Sequence, residues 1–431
     1  MKKKILLFDA TVLTNAFSKT AGRSGIFFAS YNICGELLGR PELEVMFYCP
    51  PKSAAYMGAV VEKCFARRGG VKIIHEDAGY FYLKKYYFRQ KKYESREKGE
   101  KLKTVLYAVM SLAADAASKF CFSAKKELSP EQLDGVDIFF SPVFPAPGPV
   151  MRRGSIKKFT VLYDTLPLMY PEYFRGLDWY KSLVNSMNGT DGYFAISEST
   201  KRDFIKYVPA VSPKNITVIP LASNQEYKRI TDAAVINAAR GKYNIPAGKK
   251  YLLSMCTLEP RKNLIFAVKN FLEFIRKNNI DDMVFVLGGA SWESFMGKLE
   301  QSLDGGLNAY KNKIIRAGYI DDADMNALYS GAEIFVYPSL YEGFGMPILE
   351  AMQCGAPVIC SNTSSMPEVI GDAGIQINPE KGEELVAAFE KMYFDESFRQ
   401  NCIKKGLERG GLFTWKKTAD VIIDKINAEI M

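Results

Sequence analysis

Two carboxylates in the last third of the chain have a spacing that would let them hold one ligand. Glu342 and Glu350 are separated by seven residues in the stretch "PSLYEGFGMPILEAMQCGAP". This stretch predicts a strand, a glycine turn and a helix, with Pro347 at the first helical position and Gly355 ending it. Either both carboxylates point toward one ligand at the helix tip, one on a ribose diol and one on a sugar, or both are solvated charges beside a tight turn.

The glycine turn favours the first interpretation. A helix N-terminus carries about half a positive charge and attracts phosphates and sugar phosphates. Glycine has no Cβ, so a ligand can come close to the main chain. The backbone N–H groups that the turn would expose belong to Gly343, Phe344, Gly345 and Met346.

A pair of neighbouring cations offers complementary chemistry. Arg261 and Lys262 lie in "CTLEPRKN", which follows a predicted strand and opens a predicted helix. Two cations at a strand end can neutralise a diphosphate leaving group as its charge develops. The alternative is a solvated surface pair.

The elements that must position these residues alternate between short β-branched or aromatic runs and longer helical patterns, as in a parallel sheet. The chain has 431 residues, 48% of them hydrophobic, which favours two α/β domains. The first half contains the runs "KKILLFD", "LEVMFYC", "VKIIH", "VDIFFS", "KFTVLYD", "GYFAIS" and "NITVIP". The second half contains "KYLLSMC", "MVFVLGG", "KIIRAGY", "EIFVYPS" and "PVICS".

We therefore expect two doubly wound domains that join near residues 222–230 and face each other across a cleft. Residues 1–225 would form the first domain, with an insertion at about 79–125, and residues 226–410 the second. Residues 411–431 would form a helix that packs back on the first domain. Ligands of such sheets bind beyond the carboxyl ends of the strands, so the motifs should lie just after strands.

Several classes of protein are disfavoured. No uncharged apolar stretch reaches about 18 residues, so we expect no spanning helix, and the opening "MKKKILLFDATVL" is typical of a first strand. Eight cysteines without a C-x-x-C and the single histidine, His75, indicate a reducing cytoplasm and no structural zinc. We expect His75 to be a hydrogen-bonded structural residue. No G-x-G-x-x-G follows the first strand, which disfavours NAD binding.

The longer stretch "PSLYEGFGMPILEAMQCGAPVICSNTSSMPEVIGDAG" resembles the signature of retaining, GT-B-fold glycosyltransferases of family 4. The resemblance extends over most of the chain except about residues 50–130, through "FAISESTKRDFIKY", "ITVIPLASN", "SMCTLEPRKNLIFAV", "GYIDDADMNALYSGAEIFVYPS" and "FTWKKTAD". It implies that Glu350 holds the nucleotide ribose and that Glu342 contacts the donor sugar. Arg261 and Lys262 would then bind the diphosphate.

The resemblance extends the donor site to further residues. Many relatives carry arginine at the position of Thr257, and Arg261 would supply the missing charge here, as in the branch that has "EPRKN". The backbone of Tyr319 and Ile320 would run past the nucleotide base and form hydrogen bonds with it. Gly25, in "TAGRSGIFFASYNI", would face the phosphates, although an ordinary loop at the start of a helix has the same pattern.

On the acceptor side, the stretch "VLYDTLPLMYPEYF" places Tyr163 and Asp164 where relatives usually have His-Asp. Either the tyrosine hydroxyl replaces the imidazole or the acceptor geometry differs, and Asp164 is the candidate for acceptor contact. The "DDAD" at 321–324 contains the D-x-D pattern that binds metal in the other major glycosyltransferase fold. It precedes a predicted helix here, so we expect aspartate capping and no metal.

The net charge of +9 is concentrated, with nine Lys/Arg against three Glu between residues 84 and 103. Six aromatic residues lie between Tyr80 and Phe88. Aromatic and basic residues together suit an anionic bilayer surface, which residues 79–103 would contact. An acceptor-side insertion with a charged surface explains the pattern equally well, and the donor signature disfavours RNA binding.

The sequence thus predicts a metal-independent, retaining glycosyltransferase without a cofactor. It would move a hexose, with mannose favoured by "EPRKN", from a GDP- or UDP-linked donor to a glycan or lipid-linked glycan of the cell surface. We expect it in the cytoplasm, at the inner face of the membrane if the basic segment binds lipid. The alternatives are a catalytically silent partner subunit, suggested by Tyr163, and a sugar-nucleotide epimerase of the same fold.

Overall fold

The computed structural model describes residues 3–17, 25–65, 71–76, 80–120, 127–171, 177–223, 226–289, 292–303, 310 and 312–430. Spatial clustering divides the chain into two units. The first unit comprises residues 1–195, 203–219 and 415–431, and the second comprises residues 196–202 and 220–414.

The first unit contains a seven-stranded parallel sheet in the order β3-β2-β1-β4-β5-β6-β7. Its strands are β1 (Lys4–Asp9), β2 (Leu43–Tyr48), β3 (Ile73–Ile74), β4 (Ile138–Ser141), β5 (Lys157–Leu162), β6 (Gly192–Ala195) and β7 (Ile216–Val218). Strand β4 is buried along its whole length, as expected for a parallel sheet that is covered on both faces.

The helices that follow these strands are α1 (Gly25–Leu38), α2 (Pro51–Phe65), α3 (Tyr80–Glu97), α4 (Lys101–Phe120), α5 (Gly148–Arg152), α6 (Leu166–Met169), α7 (Asp178–Ser186) and α8 (Glu198–Tyr207). A seven-residue 3-10 helix (Thr11–Phe17) follows β1. Helices α3 and α4 pack against each other as a hairpin.

The second unit contains a six-stranded parallel sheet in the order β10-β9-β8-β11-β12-β13. Its strands are β8 (Lys250–Met255), β9 (Met283–Gly288), β10 (Ile314–Gly318), β11 (Ile334–Tyr337), β12 (Val358–Ser361) and β13 (Gly374–Ile377). The chain leaves the centre in one direction with β9 and in the other with β12, so the order reverses between β8 and β11. Ligands of doubly wound sheets bind at this reversal, outside the carboxyl ends of the two strands.

The helices of the second unit are α9 (Ala233–Lys242), α10 (Leu264–Lys277), α11 (Trp292–Ser302), α12 (Asp322–Ser330), α13 (Met346–Gln353), α14 (Met366–Ile370), α15 (Gly382–Phe394) and α16 (Glu396–Gly410). Helices α10 and α15 pack through aromatic side chains such as Phe274 and Phe389, whose ring centroids lie 5.6 Å apart. This core fixes the position of the loop that joins β8 to α10.

The last helix, α17 (Trp415–Ile430), belongs to the first unit. Asp420 on α17 pairs with Arg40 at 2.5 Å, and Asn427 accepts a hydrogen bond from Lys4 Nζ at 3.1 Å. Across the part of the chain that the structure describes, no helix combines the length and the apolar character that a bilayer crossing requires.

Candidate functional site

The loops after β8 and β11 meet at the reversal point of the second sheet. The carbonyl oxygen of Arg261 accepts a hydrogen bond from the backbone N–H of Leu340 at 2.9 Å, and the hydroxyl oxygen of Ser339 lies 3.2 Å from it. Arg261 and Lys262 lie in a short 3-10 helix after β8, and Ser339 and Leu340 follow β11. These contacts bring the cations to the loop that carries Glu342.

Glu342 binds both cations directly. Its Oε1 accepts a hydrogen bond from Lys262 Nζ at 2.6 Å, and its Oε2 lies 2.9 Å from the guanidinium of Arg261. The hydroxyls of Tyr337 and Ser339 also donate to Oε1, at 2.9 and 2.7 Å. Glu342 and Lys262 are both buried, so this is a desolvated cluster of three charges and two hydroxyl donors.

The charges in this cluster stabilise one another. Burial alone would raise the pKa of Glu342, but the positive charges of Lys262 and Arg261 hold it below its usual value. Burial would likewise lower the pKa of Arg261, but Glu342 raises it. Burial and the charge of Glu342 raise the pKa of Tyr337 well above its ordinary value, so its hydroxyl keeps its proton and remains a donor. At neutral pH the cluster therefore holds one anion and two cations.

This balance determines what the cluster can do. Within the buried cluster two cations face one carboxylate, and the only further anion near Arg261 among the described residues is the carboxylate of Glu259, 3.5 Å away and 45% exposed, which water screens. The buried part of the site therefore suits a phosphate. A diphosphate that reached Arg261 and Lys262 would compete with Glu342 for them, and the released carboxylate could then accept hydrogen bonds from ligand hydroxyls. The sequence predicted the three charged residues of this cluster but neither the ion pairs among them nor the hydroxyl donors Tyr337 and Ser339.

The glycine turn after Glu342 is held in a conformation that opens a helix. Gly345 has φ of +107°, which lies in the region that favours glycine, and α13 begins at the next residue, Met346. The hydroxyl oxygen of Ser365 lies 2.8 Å from the carbonyl oxygens of Glu342 and Phe344, on either side of Gly343, and its single proton can be donated to either one. The carbonyl of Gly343 itself accepts a hydrogen bond from Ser197 at 2.8 Å. The sequence prediction of a turn followed by a helix is confirmed, and the carbonyl groups of the turn are held by side-chain donors.

Glu350 lies one turn into α13 in a different environment. Its Oε2 accepts a hydrogen bond from the hydroxyl of Tyr329 at 3.0 Å, and Tyr227 donates a further bond to the carboxylate. The rings of the two tyrosines lie 6.1 Å apart. Burial raises the pKa of Glu350 to about 7, although the tyrosine hydrogen bonds oppose this effect. Glu350 is thus an acceptor whose ionisation changes near neutral pH.

The structure gives the two glutamates separate partners. Glu342 contacts Arg261 and Lys262, whereas Glu350 contacts two tyrosines that the sequence analysis missed. Tyr329 lies inside the stretch "MNALYSGA", but its neighbours give no sign that its hydroxyl meets a carboxylate. Tyr227 is far away in sequence and no spacing rule connects it to α13. Joint contact of both glutamates with one ligand stays a prediction.

The remaining donor-side candidates lie at the ends of β8 and β10, which β9 separates in the sheet. Thr257 is exposed just after β8, and its carbonyl accepts a hydrogen bond from the N–H of Glu259 at 2.9 Å. Tyr319 follows β10 with an exposed side chain, whereas Ile320 is buried. Thr257 lies at the reversal point itself and Tyr319 at the edge of the sheet, and each follows a strand, as the sequence predicted. Base contact by Tyr319 and Ile320 stays a prediction.

In the first unit, Gly25 begins α1 and is exposed, and among the described residues nothing lies within 4 Å of a Cβ added there. Asp164 Oδ1 accepts a hydrogen bond from the N–H of Leu166 at 3.0 Å, and its carbonyl accepts one from Tyr180 at 2.9 Å. The carboxylate of Asp164 thus stabilises the first turn of α6. The side chain of Asp164 is half-buried.

Tyr163 packs into the first unit instead of extending from it. Its ring lies against a buried cluster that includes Val12, Phe27 and Val143. Its hydroxyl is buried and interacts with Ser30 of α1, and burial raises the pKa of this hydroxyl. The role of Tyr163 on the acceptor side stays a prediction.

Two further predictions concern Asp321 and His75. Asp321 occupies the N-cap position of α12, but its side chain makes no capping bond. Lys242 instead pairs with Asp321 at 2.5 Å and with Asp324 at 2.6 Å, so the expectation of aspartate capping is wrong because a nearby ammonium outcompetes the backbone N–H.

His75 Nδ1 bonds the carbonyl of Glu76 at 2.8 Å, which confirms a hydrogen-bonded structural histidine.

Comparison with known sequences finds similarity within the second unit. Residues 235–409 match the family described as glycosyl transferases group 1. The serotype-specific mannosyltransferase WbdA of Escherichia coli is 31% identical over 276 residues, which cover 62% of this chain and 33% of that protein. The O-antigen chain mannosyltransferase B of Escherichia coli is 32% identical over 260 residues, which cover 60% of this chain and 66% of that protein. The chain thus spans a third of the first relative and somewhat less than two thirds of the second.

Comparison with solved structures gives the fold of the whole chain. Anabaena HepE, solved in complex with UDP, aligns with a TM-score of 0.65 at 16% identity, over 99% of this chain and 100% of that one. Sucrose-phosphate synthase from Thermosynechococcus elongatus aligns with a TM-score of 0.61 at 16% identity, over 98% of both chains. Identities this low establish the fold alone. The two parallel sheets have the GT-B fold, and residues 235–409 match the glycosyl transferases group 1 family.

Proposed function

We propose that this protein is a retaining hexosyltransferase that moves a hexose from a nucleotide diphosphate sugar to a glycan or lipid-linked glycan in cell-surface polysaccharide synthesis. The observation that carries the proposal is the buried cluster of Arg261, Lys262 and Glu342 at the reversal point of the second sheet. This is where a doubly wound domain binds its ligand, and the excess positive charge suits a diphosphate.

In the proposed reaction the bond between the anomeric carbon and the diphosphate breaks and a bond from that carbon to the acceptor hydroxyl forms on the same face. The acceptor proton passes to an oxygen of the departing phosphate. Arg261 and Lys262 stabilise the charge that grows on the leaving group, and such preorganised cations act more strongly in the transition state than in the ground state. Because two cations supply this stabilisation, the proposed reaction needs no metal.

The two glutamates would then have distinct roles. Glu342, once the diphosphate takes over its cations, is free to accept hydrogen bonds from hydroxyls of the donor sugar. Glu350 in its ionised form accepts hydrogen bonds from the ribose diol, and Tyr227 and Tyr329 hold its carboxylate in place. Gly25 would face the phosphates from the first unit, and Asp164 would contact the acceptor.

The choice of sugar rests on similarity. Both Escherichia coli relatives are named as mannosyltransferases, one of them for the O-antigen chain, which supports mannose and a polysaccharide acceptor. The HepE structure contains UDP, so both UDP- and GDP-linked donors belong in the first assay. We place the reaction in the cytoplasm, at the inner face of the membrane.

The test is proton NMR of the purified protein with GDP-mannose, UDP-glucose or UDP-N-acetylglucosamine, each with a mannoside acceptor and in the presence of EDTA. We expect one donor to be consumed and the product to keep the anomeric configuration of the donor. An inverted product would overturn the retaining assignment. Loss of activity in EDTA with recovery in manganese would overturn metal independence.

A silent partner subunit is the second candidate, because the buried hydroxyl of Tyr163 stands where relatives have an imidazole. Such a subunit would bind a donor in calorimetry without consuming it over hours. Replacing Tyr163 with histidine provides a check, since a gain of turnover in this variant alone would favour the silent subunit.

A further inference from the structure

Helix α4 exposes a continuous apolar stripe to solvent. The exposed fractions are 86% for Leu102, 62% for Val105, 55% for Leu106, 59% for Val109 and 70% for Leu112. Steps of three and four residues place these side chains on one face of the helix. A helix on the surface of a globular protein normally turns its polar face to water, so the stripe is the reverse of the usual arrangement.

The opposite face of α4 packs on α3 with polar and aromatic contacts. Asp115 pairs with Lys85, and the hydroxyl of Ser111 donates to the carbonyl of Lys85 at 3.3 Å. The ring of Tyr107 stacks on Phe88 with centroids 6.4 Å apart. On α4, Tyr107, Ser111 and Asp115 thus contact α3, whereas leucine and valine lie on the side exposed to solvent. An exposed apolar face of this kind indicates an interaction site.

The aromatic residues of α3 do not form this surface. Tyr86, Tyr87 and Phe88 are half-buried. Lys84 lies 5.3 Å from the centre of the Tyr87 ring, and Arg89 lies 5.5 Å from that of Tyr86. The sequence favoured these rings as the ones that enter a lipid interface, but their packing within the hairpin leaves α4 as the more exposed element.

The charge of the hairpin identifies an anionic partner. Residues 80–120 contain ten Lys/Arg and four Asp/Glu, so the apolar stripe lies in a strongly basic segment. Helices with one apolar face and basic neighbours lie in the plane of a membrane, with the apolar face about 5–10 Å below the headgroups. Anionic lipids add about 1 kcal/mol of attraction for each basic residue near the surface.

A second copy of the chain fits the stripe less well. A stable coiled coil needs about three to four heptads, whereas the stripe runs only from Leu102 to Leu112. Standard protein interfaces bury about 800 Å² on each partner, more than five side chains provide. Two basic hairpins would also repel each other, whereas an anionic bilayer attracts one.

We propose that α4 is a membrane-docking helix that lies on an anionic bilayer, with the side chains of the stripe in the boundary between headgroups and acyl chains. This inference deepens the proposed function, because a lipid-linked acceptor would be met at such a surface. Its test requires no enzymatic activity, so vesicle binding and donor binding can fail independently.

The experiment is flotation of the full chain with vesicles of phosphatidylglycerol and phosphatidylcholine, or of phosphatidylcholine alone. The variant carries Leu102→Ser, Val105→Ser and Val109→Ser, which are exposed and should leave the fold intact. We expect wild type to float with the anionic vesicles and the variant to lose at least about a hundredfold in partition coefficient, since each buried apolar side chain contributes about tenfold or more.

The matched control makes the same kind of change at exposed apolar residues of the second unit, with Val235→Ser, Phe394→Ser and Leu412→Ser. It should float like wild type. A further probe replaces Leu106 with tryptophan, whose emission should shift to the blue on anionic vesicles, while Phe394→Trp should not respond. Circular dichroism and nucleotide calorimetry on every variant separate loss of docking from loss of fold or of donor binding.

Three outcomes would overturn the proposal. Wild type that stays unbound with anionic vesicles at low salt would leave α4 without a lipid partner. Equal flotation of wild type and the stripe variant would show that the membrane contact lies outside the stripe. Sedimentation equilibrium that finds a wild-type dimer, which the stripe variant dissociates, would assign the stripe to a second copy of this chain.

Discussion

Replacing Glu342 with glutamine tests the energetics of the charged cluster. The change keeps the shape of the side chain but leaves Arg261 and the buried Lys262 without their shared anion. Removing one partner of a buried ion pair costs about 3–5 kcal/mol. Tyr337 and Ser339 can still donate to the amide oxygen, and each retained bond offsets about 1 kcal/mol. We therefore expect the free energy of unfolding to fall by about 1–3 kcal/mol at neutral pH.

The assay is urea unfolding followed by circular dichroism, with the transition of the second unit compared between variants. Glu259→Gln is the matched control, because Glu259 lies 3.5 Å from Arg261 with a side chain that is 45% exposed, and such a pair contributes less than about 1 kcal/mol. Adding Lys262→Met to Glu342→Gln should recover part of the loss, since it removes one of the two uncompensated cations. A loss in Glu342→Gln no larger than that in Glu259→Gln would refute the reasoning.

The pH dependence provides an internal check on the same variant. The folded pKa of Glu342 lies below its unfolded value of 4.5, so its stabilising contribution is present above that pH and is lost as the pH falls through the folded pKa. The difference in free energy of unfolding between wild type and Glu342→Gln should therefore be largest at neutral pH and should disappear at acidic pH. A difference that stays constant down to strongly acidic pH would show that the charge is not its cause.

Three further predictions concern the donor site. Arg261→Ala combined with Lys262→Ala should lower kcat more than it weakens binding of the sugar nucleotide, because leaving-group charge is largest in the transition state. Kinetics measures kcat and calorimetry measures binding. Equal losses in kcat and in binding would contradict the prediction. Nucleotide affinity should fall about tenfold from pH 8 to pH 6, because Glu350 has a pKa of about 7 and protonation removes its anionic acceptor. Glu350→Gln should lack this tenfold pH dependence when the same nucleotide is titrated into both proteins. Gly25→Ala should leave the free energy of unfolding within about 0.5 kcal/mol of wild type, since no described atom contacts the added methyl, yet raise KM for the donor; an unchanged KM would remove Gly25 from the site.

Most strands could be predicted because a parallel sheet buries nearly continuous apolar runs. The run "MVFVLG" of β9 is buried at every position, and such a segment has a clear signal in sequence. Strand β13 was missed, because "GIQI" is four residues long, begins with glycine and forms the edge of the sheet, where only Ile377 is buried. The position of α13 was predictable since Pro347 and Gly355 have distinct backbone preferences, and Gly355 indeed has φ of +75°.

The candidate site could be predicted as a set of residues but not as a set of contacts. Arg261 and Glu342 each follow a strand, and the order of the strands then brings them together. The pairing of the charges depends on the geometry of the loops, which the contacts of Ser339 fix. Local sequence does not encode this loop geometry. The Tyr227 contact to Glu350 likewise depends on tertiary packing. The exposed stripe of α4 has the helical spacing of a core face, so only the structure reveals that it points outward.

The central claim is that the second unit binds a nucleotide diphosphate through the residues of the reversal point and α13. Isothermal titration calorimetry of UDP and GDP into wild type and Glu350→Ala measures this directly. We expect wild type to bind one of the two nucleotides and Glu350→Ala to bind it at least about tenfold more weakly, since each charge-assisted bond to a ribose hydroxyl contributes about 1.5–3 kcal/mol. Failure of wild type to bind either nucleotide, or an unchanged affinity in Glu350→Ala, would contradict the assignment.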